Sequence, residues 1–238
     1  MHEGAELIDQ AGKQPSAYDA PDLVIFDCDG VLVDSERLAV QVEVGILGNL
    51  GWEITPDEIV RRFLGISDAD YVAQIEEHLG ITLPPAWLEE MEPRYREAFE
   101  RELTAVQGIH QALDELAAAG VETAVASSGT QEKLRFTLGH TDLWEHFEGR
   151  VFSATEVERG KPAPDLFLHA AHTLGVAPAR CAVVEDSPPG LQAARAAGMR
   201  AIAYAGGLVP IERLTLEGVT VIFDMTRLAA ELLRGSFT

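Results

Sequence analysis

From Leu23 to Leu233 the apolar residues fall into short blocks that switch between two spacings. Leu23-Val24-Ile25-Phe26 is a continuous apolar run, the pattern of a strand buried on both faces. From Ile109 to Ala119 the residues Ile109, Ala112, Leu113, Leu116 and Ala117 keep helical spacing, and Gly120 then stops the helix. Val121 to Ala126 reads as a second strand. The unit returns as a helix over Leu166 to Leu174 with Gly175 and a strand at Ala182-Val183-Val184. It returns again as a helix over Leu191 to Ala197 with Gly198 and a strand from Arg200 to Tyr204. Val219 to Phe223 predicts a last short strand, and Leu228 to Leu233 a last helix. Helix–glycine–strand units in series imply right-handed crossovers and a Rossmann-like parallel sheet with helices on both faces.

The stretch from Glu36 to Leu103 is too long for a single crossover and reads helical throughout. Thr55-Pro56-Asp57-Glu58 has the form of a capping box with proline at the first helical position. Ser67 offers another N-cap, followed by Tyr71, Val72, Ile75 and Leu79 at helical spacing. Pro84-Pro85 opens a further helix carrying Trp87, Leu88, Met91, Tyr95 and Phe99. The expected organisation is an α/β core over residues 21–35 and 104–238, with a small all-helical cap domain, 36–103, inserted after the first strand. Ligands bind beyond the carboxyl ends of strands in open α/β sheets, so the insert is placed to act as a lid.

Hydrophobic residues are 47% and charged residues 24% of the 238, a globular composition that excludes a disordered chain, a collagen or a small disulfide scaffold. Asp and Glu number 39 against 18 Lys and Arg, a formal charge of −21, which argues against nucleic acid and anionic membrane as partners. Cys28 and Cys181 stand far apart in apolar surroundings, with no metal-binding Cys-x-x-Cys, as suits a reducing cytosol and a cytoplasmic protein. No apolar run approaches the ~20 residues of a membrane span. Met1 to Ala20 has neither the apolar core nor the cleavage site of a secretory signal and reads as a polar lead-in, with disorder one option for it.

Four segments follow predicted strands and should meet at one sheet edge. Asp27-Cys28-Asp29-Gly30 brings two carboxylates two residues apart. Ser127-Ser128-Gly129 offers hydroxyls and free amides for an anion. Gly160-Lys161-Pro162 supplies a lysine, and Glu185-Asp186-Ser187 two further carboxylates. Alone, each is an ordinary turn or helix cap. Together, four carboxylates beside one lysine call for a divalent cation, and hard oxygen ligands suit Mg²⁺. No dinucleotide or P-loop motif follows a strand. His169 and His172 lie one helical turn apart without a third ligand, and Trp52, Trp87 and Trp144 read as packing residues.

Asp27-Cys28-Asp29-Gly30-Val31-Leu32-Val33-Asp34-Ser35 resembles the first motif of the haloacid dehalogenase superfamily, with Ser127 matching the second, Lys161 the third and Glu185-Asp186 the fourth. Order and strand context agree over essentially the whole chain after residue 20, and the branch it resembles holds sugar-phosphate phosphatases and β-phosphoglucomutases. The resemblance implies that Asp27 is the nucleophile, forming an aspartyl-phosphate, and that Asp29 is the general acid and base. It implies Mg²⁺ held by the Asp27 carboxylate, the Asp29 carbonyl and Asp186, with Glu185 as a further or supporting ligand. Ser127, helped by Ser128 and Gly129, would hold the phosphoryl oxygens, and Lys161 would neutralise charge and orient Asp27. Asp34 would shape the turn leading into the cap.

Departures from the family pattern sort its branches. Dehalogenases and phosphonate-cleaving members lack an aspartate at the position of Asp29, so its presence favours phosphate esters. The mutases carry His, Lys and Arg at the positions that align with Ala39, Leu64 and Asp68, and none is kept here. The expectation is therefore a phosphatase acting on a small phosphorylated metabolite, a sugar or sugar-acid phosphate, as a monomer or weak homodimer. A phosphomutase and a catalytically silent binding protein on the same fold are the alternatives. Arg61 and Arg62, in the cap loop ahead of Ser67, are expected to contribute specificity.

Overall fold

The computed structural model describes residues 20–64 and 66–234, so the lead-in up to Asp19 and Gly65 of the cap loop lie outside the described residues. The strands are β1 Leu23–Phe26, β2 Glu122–Ser127, β3 Val151–Ser153, β4 Cys181–Glu185, β5 Arg200–Tyr204 and β6 Thr220–Ile222. They form one parallel sheet in the order β3-β2-β1-β4-β5-β6. The chain runs outward from β1 through β2 to β3, then returns to the other side of β1 at β4. That reversal puts the crevice of the sheet at the carboxyl ends of β1 and its neighbours.

The helices are α1 Ser35–Asn49, α2 Pro56–Phe63, α3 Asp68–Leu79, α4 Trp87–Glu102, α5 Ile109–Ala118, α6 Gln131–His140, α7 Trp144–Phe147, α8 Asp165–Thr173, α9 Pro188–Ala196, α10 Ile211–Leu214 and α11 Leu228–Leu233. The two-residue period of the strands sorts their side chains into two layers. Val24 and Phe26, with Ala182 and Val184, pack against Leu113 and Leu116 of α5, Leu134 and Leu138 of α6 and Leu228 and Leu232 of α11. Leu23 and Ile25, with Cys181 and Val183, pack against Leu166 and Phe167 of α8 and Leu191 and Ala194 of α9. The unbroken apolar run of β1 thus follows from having a helix layer on either side. Both cysteines are buried and free, and no helix of the described residues is long and apolar enough to cross a membrane.

Helices α1 to α4 form the insert and have a hydrophobic cluster of their own, built on Leu47, Trp52, Ile59, Phe63, Ile75 and Trp87. Of the expected capping box only one half forms: Thr55 Oγ1 accepts from the Glu58 amide at 3.3 Å. The Glu58 carboxylate turns instead to Arg62, 2.7 Å away, because a cation one turn along is a stronger partner than the Thr55 amide. Where the insert leaves and returns, its two connections are tied together. Asp34 N donates to Thr104 O at 3.0 Å, Val33 and Ala105 form an antiparallel bridge, and Val106 N donates to Leu32 O at 2.9 Å.

Candidate active site

The turn after β1 folds on itself. The amides of Leu32 and Val33 donate to Cys28 O at 2.9 and 3.1 Å, and Gly30 N donates to Val33 O at 2.9 Å. Gly30 has φ of 75° and sits against Asp186, so that a Cβ there would collide with the Asp186 carboxylate. The turn aims its two carboxylates differently. Asp27 faces the end of β4, whereas Asp29 lines the cavity described below.

Lys161, from the loop after β3, is 6% exposed at its side chain and lies between two carboxylates. Its Nζ donates to Asp27 Oδ1 and to Glu185 Oε1, each at 2.6 Å. Glu185 Oε2 accepts from Ser187 N at 2.9 Å and Ser187 Oγ at 2.8 Å, so both oxygens of this carboxylate are engaged. Asp186 is different: its Oδ2 is buried with no hydrogen-bond partner. Burial pushes the Asp186 carboxyl far up, reinforced by the charges of Glu36, Glu185 and Asp27. Burial also raises Asp27, to about 7, against the pull of Lys161. Lys161 is held firmly charged by Asp27 and Glu185 in spite of burial.

Ligand oxygens of Asp27, Glu185 and Asp186 all lie within 4.8 Å of one another. Three buried carboxylates with a single lysine leave excess negative charge, and the orphaned Asp186 oxygen lacks any proton donor. That donor set fits a small, hard divalent cation.

Asp29 is held from outside this cluster. Ser35 Oγ donates to its Oδ1 at 2.6 Å and Lys133 Nζ to its Oδ2 at 2.7 Å. Burial opposes charge on Asp29, but Lys133 and Ser35 outweigh it and keep the carboxyl below its ordinary 3.8. Ser127, 1% exposed, accepts from Gly129 N at 3.2 Å through its Oγ. Thr130 caps α6 and so fixes where Lys133 leaves the helix.

A cavity of about 750 Å³ lies between the insert and this sheet edge. Asp29, Ser128, Gly129 and Lys133 line its floor, and helices α1 to α4 supply the remaining walls, with Glu132 and Phe136 at the core side. Ala39, Leu64 and Asp68, the positions that carry cations in the mutases, do line it. Arg61 and Arg62 do not. Ile59 and Phe63 turn inward to the insert's cluster, which rotates both arginines outward; Arg62 pairs with Glu58 and lies 5.5 Å from the centre of the Trp52 ring. The arginine of the insert that does line the cavity is Arg96 of α4, on Glu132 at 3.1 Å.

The sequence-predicted residues Asp27, Lys161, Glu185 and Asp186 come together, with Ser127 at the end of β2 and Asp29, Ser128 and Gly129 in the adjoining loops. Lys133 and Glu36 were not anticipated. Glu36 lines the cavity, has a buried Oε2 without a partner, and is raised to about 7 by burial and by Asp29. Its signal was present in Asp34-Ser35-Glu36, where a helix begins directly at the site. Lys133 was legible only from the N-cap pattern at Thr130, which puts residue 133 in the first helical turn above the strand end.

Comparison with known proteins shows the family. The pattern of the family described as haloacid dehalogenase-like hydrolase matches residues 24–204. The chain is 32% identical over 180 residues to 6-phosphogluconate phosphatase of Escherichia coli, spanning 74% of this chain and 79% of that one. It is 32% identical over 183 residues to a phosphorylated carbohydrates phosphatase of Thermotoga maritima, spanning 75% and 82%. A crystal structure of a haloacid dehalogenase-like protein of unknown function from Agrobacterium tumefaciens superposes with a TM-score of 0.81 at 37% identity, covering 90% of this chain and 99% of that one.

Proposed function

The chain belongs to the haloacid dehalogenase-like hydrolases and is a phosphoric monoester hydrolase; from that premise we propose that it is a Mg²⁺-dependent phosphatase of a small sugar or sugar-acid phosphate, working through an aspartyl-phosphate. The observation that carries this is the convergence of Asp27, Lys161, Glu185 and Asp186, with one Asp27 oxygen engaged by Lys161 and the other outside that bond. Asp27, Asp186 and the Asp29 carbonyl would hold the ion, with Glu185 supporting from its bonds to Lys161 and Ser187. Bound there, Mg²⁺ supplies positive charge that lets a carboxylate approach an anionic phosphate.

In the first step Asp27 attacks phosphorus, an Asp27 oxygen–phosphorus bond forms, and the ester P–O bond breaks. Asp29, carrying the proton that the second step of the preceding turnover leaves on it, gives that proton to the departing alkoxide. Lys161 steadies the attacking carboxylate and the phosphoryl charge, while Ser127 and the amides of Ser128 and Gly129 hold the equatorial oxygens. In the second step Asp29 takes a proton from water as it attacks phosphorus, Asp27 is released and inorganic phosphate leaves. The insert acts as a cap hinged at Asp34 and Thr104, closing while Asp29 is an acid and reopening to admit water. A mutase would need a cation for a second phosphate at Ala39, Leu64 or Asp68, and these wall positions offer none. A panel of phosphate esters, assayed with Mg²⁺ and with chelator, tests the proposal. Metal-dependent phosphate release is expected; isomer formation without release, or no turnover, would overturn it.

A further inference from the structure

The wall of the cavity contains a polar cluster that the phosphoryl chemistry leaves unused. Glu43 of α1, Tyr71 of α3 and Tyr95 of α4 all line it. Tyr95 lies close enough to Glu43 to favour its charged form, while burial pushes the Glu43 carboxyl up to about 7. Tyr71 is only 9% exposed and its hydroxyl is buried with no partner, in the field of Glu43 and Tyr95. The cluster therefore has a hydroxyl donor, Tyr71, that no group of the chain accepts from, on the same wall as the Glu43 carboxyl. A buried hydroxyl left in that condition is costly unless a ligand completes it.

The charges along the cavity are predominantly negative. The lining holds seven carboxyl side chains and two cations, Arg96 and Lys133. Both cations are engaged, Arg96 by Glu132 at 3.1 Å and Lys133 by Asp29 at 2.7 Å. An anionic group entering here would be desolvated among carboxylates without a free counter-charge. A hydroxyl carries no such penalty, and it can accept from Tyr71 while donating to Glu43.

Resting on the phosphatase reading above, we infer that the end of the substrate remote from its phosphate is an uncharged, hydroxyl-bearing sugar or polyol chain held by Glu43, Tyr71 and Tyr95, and that a carboxylate or second phosphate at that end is rejected. This divides the two substrate classes that the phosphoryl site alone leaves together, since the distinction lies wholly in the cap wall.

The deciding comparison is between sorbitol 6-phosphate and 6-phosphogluconate, which share one carbon chain and differ at the far carbon, alcohol against carboxylate. Phosphate release by the intact enzyme with Mg²⁺ gives kcat/KM for both, with glucosamine 6-phosphate, fructose 1,6-bisphosphate and p-nitrophenyl phosphate alongside. The neutral substrate should exceed the acid and the bisphosphate by about tenfold or more. Tyr71→Phe should reduce kcat/KM for sorbitol 6-phosphate by about tenfold, as one lost hydrogen bond would, and Glu43→Gln should narrow the gap between the pair. Equal or better turnover of 6-phosphogluconate, or of the amine-bearing sugar, would overturn the inference while leaving the phosphatase assignment in place. No release from any ester, p-nitrophenyl phosphate included, would overturn the phosphatase assignment and this inference with it.

Discussion

Lys133 Nζ lies 2.7 Å from Asp29 Oδ2, joining the first turn of α6 to the loop after β1. The contact keeps Asp29 ionised, whereas donating a proton to a leaving alkoxide needs Asp29 protonated. On the proposed mechanism Lys133 would act on catalysis through Asp29, as a positioning residue for the acid rather than a part of the phosphoryl centre.

Replacing Lys133 by methionine keeps an apolar stem and removes the charge. Without it, burial of Asp29 is opposed by Ser35 alone among its hydrogen-bond donors, and the Asp29 pKa rises. The limb of the kcat/KM profile that reports Asp29 should move to higher pH by about one unit. A lower rate with an unmoved limb would show that Lys133 does not set the Asp29 ionisation.

Asp27→Asn should lower turnover at least about a thousandfold while preserving the fold. The amide retains the shape but has no attacking oxygen. In chelator the variant should melt no lower than the parent, because it removes one of three crowded carboxylates while Lys161 keeps Glu185 at 2.6 Å. Circular dichroism melts and an ester assay on the same preparation test both halves. Retained activity would remove Asp27 as nucleophile.

Metal binding should be visible in stability as well as in rate. An ion that binds only the folded chain adds about 2.7 kcal/mol at a hundred times its dissociation constant. For a chain of this size that is a melting rise of roughly 5–10 °C. Mg²⁺ should raise the melting temperature of the parent, and much less that of Asp186→Asn, whose unpartnered oxygen is the clearest sign of a cation site. Ca²⁺ should bind but suppress activity, since it takes more oxygen ligands at longer distance and can occupy both oxygens of Asp27. Full activity with Ca²⁺ alone, or in chelator, would contradict this.

The parts of the molecule that were plain in the sequence are those whose signal is local. Leu23 to Phe26 is apolar at every position because β1 is central, and the structure begins and ends that strand at the same residues. The strand Val151–Ser153 gives no clear apolar run because it is three residues long at the sheet edge, and α6 gives no clear helical period because Gln131, Glu132 and Arg135 dilute it. In the site, Asp27, Glu185 and Asp186 are legible because each follows an apolar run at the same edge, and Lys161 because Gly160-Lys161-Pro162 resembles the family's third motif. The tie between Lys133 and Asp29 spans 104 residues, and the meeting of Glu43 with Tyr71 and Tyr95 depends on how three helices pack. Neither leaves a local trace. That Arg61 and Arg62 stand outside the cavity follows from Ile59 and Phe63, which set the buried face of α2 one turn apart.

Glu43 gives a pH signature distant from the ion site. Its folded pKa of about 7 lies above its ordinary 4.5, because burial opposes the charge. A carboxyl raised in this way binds more protons folded than unfolded between those two values. Its contribution to stability is therefore complete below about 4.5 and is lost as pH climbs through about 7. The parent's melting temperature should fall more steeply over that window than that of Glu43→Gln. Parallel curves for the two proteins would show that Glu43 titrates normally.

The arginines of the insert should separate by function. Arg62 stands on the outer face of α2, 2.7 Å from Glu58 and over Trp52. Arg62→Ala should cost about 1 kcal/mol of stability or less, and leave the ratio of kcat/KM between a sugar phosphate and p-nitrophenyl phosphate unchanged. Arg61→Ala should leave that ratio unchanged too, since Arg61 is exposed and does not line the cavity. Arg96 holds the insert to the core: it reaches Glu132 at 3.1 Å and lies 5.4 Å from the centre of the Phe136 ring, both on α6. If the insert closes as proposed, closure would matter most for a substrate long enough to touch it, so Arg96→Ala should reduce kcat/KM for the sugar phosphate several-fold more than for the small ester. Stopped-time phosphate release on the three variants with both substrates decides it. An equal loss on the two substrates would mean that the bridge from Arg96 to α6 serves stability alone. A changed ratio in Arg61→Ala or Arg62→Ala would mean that the outer face of α2 swings inward on closure, and the division between these arginines would then fail.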